Sequence, residues 1–347
     1  MKIGDRTIGA AAAPFVIAEL SGNHNGSLER ALAVVDAAAA AGAHALKIQT
    51  YTADTITLDA PRPEFRIEDP QSPWRGETLH SLYANASTPY EWHERIFARA
   101  RAKGLLAFST PFDESAVDFL EGFGVPAYKI ASFENTHLPL IRKAAATGKP
   151  LIVSTGMATR EELDDAVGAA RAAGCRDLVL LKCTSTYPAD PANSNLRTIP
   201  DLRTRYGCEV GLSDHTPGTA VAAAAVALGA TVIEKHLTLA RADGGVDAAF
   251  SLEPDEFARL VRDVTDAWKA GGGVFYGPTP DELPSLRFRR SLYVAEDMRA
   301  GEAFTAKNLR VVRPGLGLPP KHFEEVLGRR VRAATPRGTP LSWDLIE

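Results

Sequence analysis

Eight short stretches of this sequence end on residues able to bind an anion, hold a metal or move a proton. Glu19 stands ahead of Asn23 and His24, and Lys47 with Gln49, Ser109 with Thr110, Lys129 with Ser132, and Ser154 with Thr155 follow in turn. Lys182 with Thr184 and Ser185, then Ser213-Asp214-His215, then Glu234-Lys235-His236 complete the series. Lysines and hydroxyls converging on one place supply charge-assisted donors for a dianionic phosphate and a carboxylate. His215 and His236, closing consecutive stretches, can share one divalent ion, and such an ion polarises a carbonyl. Taken singly, each residue has a plainer use. A strand-end His or Lys is commonly a satisfied structural group, and Ser or Thr there commonly caps the next helix. Recurrence on nearly every stretch is what favours a joint site. Neither GxGxxG nor a P-loop pattern occurs, so nucleotide binding has no support.

The elements that must position these residues are legible in the apolar pattern. The runs are Phe15–Leu20, Ala45–Thr50, Leu105–Thr110, Ala127–Ser132, Leu151–Gly156, Leu178–Ser185, Glu209–Asp214 and Thr231–Thr238. Apolar on consecutive positions, they suit strands buried on both faces of a parallel sheet. Ala-rich amphipathic stretches lie between most of them: Leu28–Ala41 behind a Ser27 cap, Ser115–Gly122, Leu138–Thr147, and Arg160–Ala173 after Thr159. Such alternation predicts a (β/α)8 barrel, with a doubly wound sheet as the alternative on strand count alone. About 55 residues separate the second run from the third, far beyond the usual βα connection. They carry Trp74, Tyr83, Tyr90, Trp92 and His93, and read either as a substrate wall or as an excursion whose aromatics pack on the barrel. After Ala270 a Gly/Pro-rich linker, residues 271–287, leads to a second domain over residues 288–347, with short strands at Ser291–Val294 and Leu309–Arg313. Residues 1–270 form the expected barrel domain.

The chain has 347 residues, with 39 Lys+Arg against 43 Asp+Glu, a formal net charge of −4. That length suits about two domains, or one barrel with a small appendage. The slight acidity gives no footprint for nucleic acid. Cys175, Cys183 and Cys208 lack paired or CxxC spacing, which fits a reducing cytoplasm rather than a disulfide framework or zinc site. Pro14 interrupts the apolar run Ile8–Ala18 and Glu19 ends it, against a signal peptide. Thr216–Ile233 is too short and too punctuated by Pro217, Gly218 and Gly229 to span a bilayer, so no membrane partner is expected.

At these residues the sequence resembles the sialic acid synthases. The motifs are Ile17-Ala-Glu19, Gly22-Asn-His-Asn25, Lys47-Ile-Gln49, Phe108-Ser-Thr-Pro-Phe112, Tyr128-Lys-Ile-Ala-Ser132 and Ser154-Thr-Gly-Met157. They continue through Cys183 to Tyr187-Pro188, Gly211-Leu-Ser-Asp-His215, Glu234-Lys-His236 and Asp247. Arg289-Arg-Ser291, Arg313-Pro-Gly315 and Gly338-Thr-Pro-Leu341 resemble the family's antifreeze-like (SAF) domain. Ser21, the Trp74 to His93 pattern, Ala131-Ser-Phe-Glu-Asn135 and Arg241 to Asp247 are most similar to the pseudaminic acid branch. The N-acetylneuraminate and legionaminate branches are the alternative, and Ser185 stands where the former has Asn.

The resemblance implies a TIM barrel followed by a SAF domain, and a metal-dependent condensation of phosphoenolpyruvate with an acetamido-sugar. It implies that His215 and His236 hold Mn2+ or Mg2+. Lys47, Thr110, Lys129, Ser132, Ser154, Ser185 and Ser213 would bind phosphate and carboxylate. Glu19, Glu234 and Asp247 would serve proton transfer or sugar hydroxyls, Gln49 and Tyr187 would face the sugar, and Arg313 would reach its N-acyl group. A homodimer with exchanged C-terminal domains is the implied assembly. Two readings from other classes stay open on the residues alone: a Schiff-base aldolase using Lys129 or Lys182, and a carbohydrate- or ice-binding protein dominated by the C-terminal domain.

Overall fold

A computed structural model describes residues 1–70, 72 and 74–347. The chain divides into two compact units, Met1–Gly272 and Gly273–Glu347. In the first, among the described residues, eight parallel strands close into a barrel. They are β1 (Phe15–Glu19), β2 (Ala45–Thr50), β3 (Leu106–Pro111), β4 (Tyr128–Ile130), β5 (Leu151–Ser154), β6 (Leu178–Cys183), β7 (Glu209–Asp214) and β8 (Val232–His236). Consecutive strands pair, and β8 pairs back onto β1, so no edge is left open. Each strand falls within a residue or so of the apolar run that announces it, except that β4, β5, β6 and β8 stop two residues early. After β4 to β6 the early stop has a use. There the chain turns away to deliver Ser132, Gly156 and Ser185 from loops rather than from the ladder.

Nearly every strand position is buried, which is why these runs are apolar throughout instead of alternating. Gly211 marks how full the barrel is: a Cβ there would lie 2.1 Å from the Val232 carbonyl oxygen and 2.7 Å from Leu181 Cδ2. The helices start where side chains can satisfy their first N–H groups. Ser27 accepts from the Arg30 N–H ahead of Leu28–Ala40, Asp113 accepts from Ser115 and Ala116, and Thr159 forms a capping box with Glu162. The helix Pro254–Gly271 packs against Ala220–Ala227 and closes the ring. No helix among the described residues is long and apolar enough to cross a membrane.

The long connection between β2 and β3 resolves into the short turn Ala53–Ile56, the helix Leu79–Ala86 and the helix His93–Ala102. Its aromatics divide between the two roles the sequence allows. Tyr90 packs at a tilt against Phe119, ring centroids 4.5 Å apart, and His93 packs among Phe97, Phe119 and Phe123. The edge of His24 meets Trp92, itself packed on the barrel core. A wall running from Trp74 to Trp92 is therefore too long an expectation. Trp74 and Tyr83 face the cavity, while Tyr90, Trp92 and His93 anchor the excursion, His93 Nε2 bonding Thr50 Oγ1 at 2.8 Å.

The second unit has its own core of Leu292, Val294, Met298, Phe304, Leu309, Val326, Val331, Leu341 and Ile346. Its strands Ser291–Val294 and Leu309–Val312 pair antiparallel. The Gly/Pro-rich stretch ahead of them is less plain than its composition, since Pro280–Phe288 winds into a 3-10 helix while Val274 and Tyr276 stand almost wholly exposed.

Candidate active site

A cavity of about 940 Å³ opens at the C-terminal ends of the barrel strands, where barrels of this architecture carry their chemistry. Strand register sets its floor: Glu19 at the end of β1 lies between His236 of β8 and Lys47 of β2. Lys47 Nζ is ion-paired with Glu19 Oε2, donates to Thr110 Oγ1 at 3.0 Å and lies 3.8 Å from Glu234 Oε1. Across the floor, Lys129 Nζ donates to Ser154 Oγ at 2.7 Å and lies 3.7 Å from that same Glu234 oxygen. Ser213 Oγ donates to it as well, at 3.2 Å. Glu234 Oε1 is thus the hub joining two lysines, while its Oε2 is buried without a hydrogen bond.

Burial of four charges in one place moves their proton affinities apart. Burial pushes the Glu19 carboxyl up to about 7, with Lys47 opposing and Glu234 assisting. For Glu234 burial acts the same way, but Lys129 and Lys47 outweigh it and hold the group below its usual value. Burial disfavours the Lys47 ammonium, yet Glu19 and Glu234 together hold it above its ordinary value; Lys129, with less acid around it, is pushed down by burial.

One wall carries the hydroxyls and the imidazoles. Ser132 Oγ accepts from the Gly156 N–H at 3.2 Å, and Ser185 Oγ lies 3.7 Å from Cys183 Sγ. Gly156 is a close approach: a Cβ would come within 2.2 Å of Ser185 Oγ and 2.6 Å of Ser132 Oγ. The rings of His215 and His236 are 5.3 Å apart, backed by Phe250 at 6.1 and 5.0 Å. His215 Nδ1 bonds the Thr184 carbonyl oxygen at 3.0 Å, and His236 Nδ1 is buried without a partner. Burial and the neighbouring cations push the His236 imidazole well below its usual value, so it is neutral. No group of three or more His, Cys, Asp or Glu among the described residues is placed to hold a metal ion.

The adjoining wall is mixed. The Tyr187 ring is tilted against His215 and Trp74, with centroids 4.5 and 6.0 Å away, and Trp74 Nε1 donates to the Val246 carbonyl oxygen at 2.9 Å. Asp247 accepts from Ser21 Oγ and from the Gly22 N–H at 3.3 Å; burial pushes its carboxyl up against those bonds. Ser21 holds a left-handed backbone (φ 48°) because its N–H is spent on Glu19 Oε1 at 2.9 Å and its hydroxyl on Asp247. Ile56, Ile67, Leu79 and Leu82 of the excursion complete an apolar lobe beside Trp74 and Tyr83.

The structure thus gathers Glu19, Lys47, Gln49, Thr110, Lys129, Ser132, Ser154, Ser185, Tyr187, Ser213, His215, Glu234, His236 and Asp247 around one cavity. Arg313 is exposed in the second unit, after strand Leu309–Val312. Lys182 does not line the cavity; its Nζ donates to the Cys183 carbonyl oxygen at 2.8 Å. Tyr51 and Glu134 also line the cavity, and neither is assigned a role from the sequence alone. Tyr51 continues the inward face of Lys47 and Gln49 with period two, a signal that was available. Glu134 sits in the turn Ser132–Glu134 with a buried, unpartnered Oε2, and burial pushes its carboxyl up to about 7; no periodicity announces a turn residue.

Residues 34–275 match the model of the NeuB family, and residues 289–347 match the SAF domain. The chain belongs to the NeuB family. It is 46% identical to the pseudaminic acid synthase of Campylobacter jejuni over 91% of this chain and 92% of that protein. With the pseudaminic acid synthase of Helicobacter pylori it shares 42% identity over 96% of this chain and 98% of the relative. Among solved structures, the N-acetylneuraminic acid synthetase of Leptospira borgpetersenii superposes with a TM-score of 0.73 at 32% identity, covering 83% of this chain and 95% of that one.

Proposed function

We propose that the barrel condenses phosphoenolpyruvate with 2,4-diacetamido-2,4,6-trideoxy-L-altrose to give pseudaminic acid and phosphate. The observation that carries this reading is the cavity's division: two buried lysines among hydroxyls at the floor, and an apolar lobe of Trp74, Tyr83 and Leu82 beside it. The floor suits an anion with a phosphate and a carboxylate, bound through Lys47, Lys129, Thr110, Ser132, Ser154, Ser185 and Ser213. The lobe suits the methyl groups of a deoxygenated, N-acetylated sugar. The identity to pseudaminic acid synthases of two organisms supports the same choice.

In this reaction C3 of phosphoenolpyruvate attacks the aldehyde carbon of the open-chain sugar, water adds at C2, and the tetrahedral intermediate expels phosphate by C–O cleavage. Two neutral-capable imidazoles 5.3 Å apart, one with an unpartnered buried nitrogen, fit part of a divalent-ion shell. His215 and His236 would hold Mn2+ or Mg2+, which when bound polarises the aldehyde as a Lewis acid. Gln49 and Tyr187 face the sugar. Glu19, near 7, gains a proton readily as a dianion arrives beside it, and Glu134 and Asp247, both pushed up by burial, are poised for proton transfer or sugar hydroxyls. Glu234, held below its usual value, opposes the loss of charge that burial imposes on both lysines. In the proposed homodimer Arg313 meets the sugar N-acyl group in the partner's barrel, and the cytoplasm, which holds phosphoenolpyruvate, is the proposed location.

The test is phosphate release from phosphoenolpyruvate in the presence of the altrose sugar, with and without EDTA. Sugar-dependent release, lost in EDTA and restored by Mn2+, is expected. Turnover that survives EDTA, or a borohydride-trapped pyruvoyl adduct on Lys129, would replace this mechanism with Schiff-base chemistry.

A further inference from the structure

On strands β7 and β8 alternate residues face opposite ways. Ser213, His215, Glu234 and His236 line the cavity, so Asp214 and Lys235 between them turn away from it. These two form a fully buried ion pair, Lys235 Nζ to Asp214 Oδ2 at 2.7 Å, with side chains 0% and 1% exposed. The same ammonium donates to the Thr216 carbonyl oxygen. The other Asp214 oxygen accepts from the Thr216 N–H at 2.9 Å and the Thr216 hydroxyl at 2.7 Å. Lys235 and Asp214 therefore clasp the backbone on both sides of His215, and the clasp is rooted on the residue next to His236. Two further bonds leave His215 little freedom: its carbonyl oxygen accepts from the Ala189 N–H at 2.9 Å, and its Nδ1 bonds Thr184.

A buried ion pair is a poor investment in stability, since apolar replacements of similar volume are often neutral or stabilising. Here the pair is self-neutral and touches nothing in the cavity. What it does fix is the relation of two adjacent strand ends at the residues beside each imidazole. We propose that Asp214 and Lys235 are positioning residues that hold His215 and His236 at the mutual setting a divalent cation requires. This rests on the reading of the two histidines as the metal-holding residues. Groups hydrogen-bonded behind metal ligands typically change metal affinity about tenfold to a hundredfold when removed, and the clasp, which bonds the backbone beside His215 rather than either imidazole, is expected to act in the same range.

The full chain, stripped of metal, is titrated with Mn2+ alone, free Mn2+ being followed by electron paramagnetic resonance. Wild type, His236→Ala and the double variant Asp214→Asn/Lys235→Met are compared, together with melting temperature and phosphoenolpyruvate affinity. Removing both charges at once avoids stranding either in the interior. The expected result is a folded double variant whose Mn2+ affinity is about tenfold to a hundredfold weaker while phosphoenolpyruvate affinity stays within about twofold. A purely structural pair would move both affinities together or neither. Unchanged Mn2+ affinity, parallel loss of both ligands, or failure of the double variant to fold overturns the positioning role. Absence of Mn2+ binding to wild type, or full binding by His236→Ala, instead overturns the assignment of the metal to these histidines.

Discussion

Glu134→Gln should make the protein more stable and less active, and the stability gain should depend on pH. The carboxyl stands in a turn at the cavity wall with one oxygen buried and unpartnered, and burial raises it from 4.5 to about 7 against the pull of Lys129. At about 1.4 kcal/mol per pH unit, that displacement amounts to about 3 kcal/mol. The sign follows from proton counting. Between pH 4.5 and about 7 the folded state holds a proton that the unfolded state has released, so stability falls as pH rises through this window and levels off above it. Wild type therefore carries the whole penalty at pH 8 and almost none at pH 4.5. Glutamine, neutral and nearly the same shape, carries none at any pH. Denaturant unfolding at pH 5, 6, 7 and 8 should show Glu134→Gln close to wild type at the acid end and ahead by about 3 kcal/mol at pH 8, while turnover falls. A constant offset across the series, or a variant less stable at pH 8, would show that burial does not outweigh Lys129 and the backbone hydrogen bond at this carboxyl.

Gly156→Ala drives a methyl into Ser132 and Ser185, whose hydroxyl oxygens lie 2.6 and 2.2 Å from its place. Displacing two donors worth about 1 kcal/mol each should lower kcat/KM for phosphoenolpyruvate about thirtyfold, and an unchanged value would take both serines out of the anion site. His215→Ala and His236→Ala should keep a wild-type melting profile yet lose turnover at micromolar Mn2+, since each removes part of a sphere that water and substrate complete; near-normal rates after metal removal would make the imidazoles structural. Co-refolding His236→Ala with Arg313→Ala in equal amounts should restore about a quarter of all sites if caps are exchanged between barrels. Zero recovery with verified mixed dimers would refute the exchange.

The barrel was legible because its strands are buried on both faces, so apolar runs mark them almost to the residue, and Ser27 and Thr159 announce helix starts through hydrogen bonds that local sequence dictates. The floor of the site was legible for the same reason: strand ends point inward with period two, which brings Lys47, Lys129 and Glu234 together without any knowledge of loops. The β2–β3 excursion was not. Aromatic residues in a long loop have the same composition whether they face a ligand or a core, and only the packing of Tyr90 and His93 on Phe119 separates them from Trp74. Glu134, quoted only within a motif, had no legible role on similar grounds, because a carboxyl in a one-turn loop acquires its character from burial. The clasp of Lys235 and Asp214 was hidden inside motifs noticed for their histidines.

Sugar specificity is decided by kcat/KM for two aldehydes. An apolar lobe of Trp74, Tyr83, Leu79 and Leu82 should accept the C6 methyl of 2,4-diacetamido-2,4,6-trideoxy-L-altrose and tolerate the hydroxyl of N-acetylmannosamine poorly, a discrimination on the order of a hundredfold for a pocket of this kind. With phosphoenolpyruvate and Mn2+ saturating, the deoxy sugar is expected to be preferred by about that factor. Equal values, or a preference for N-acetylmannosamine, would contradict it.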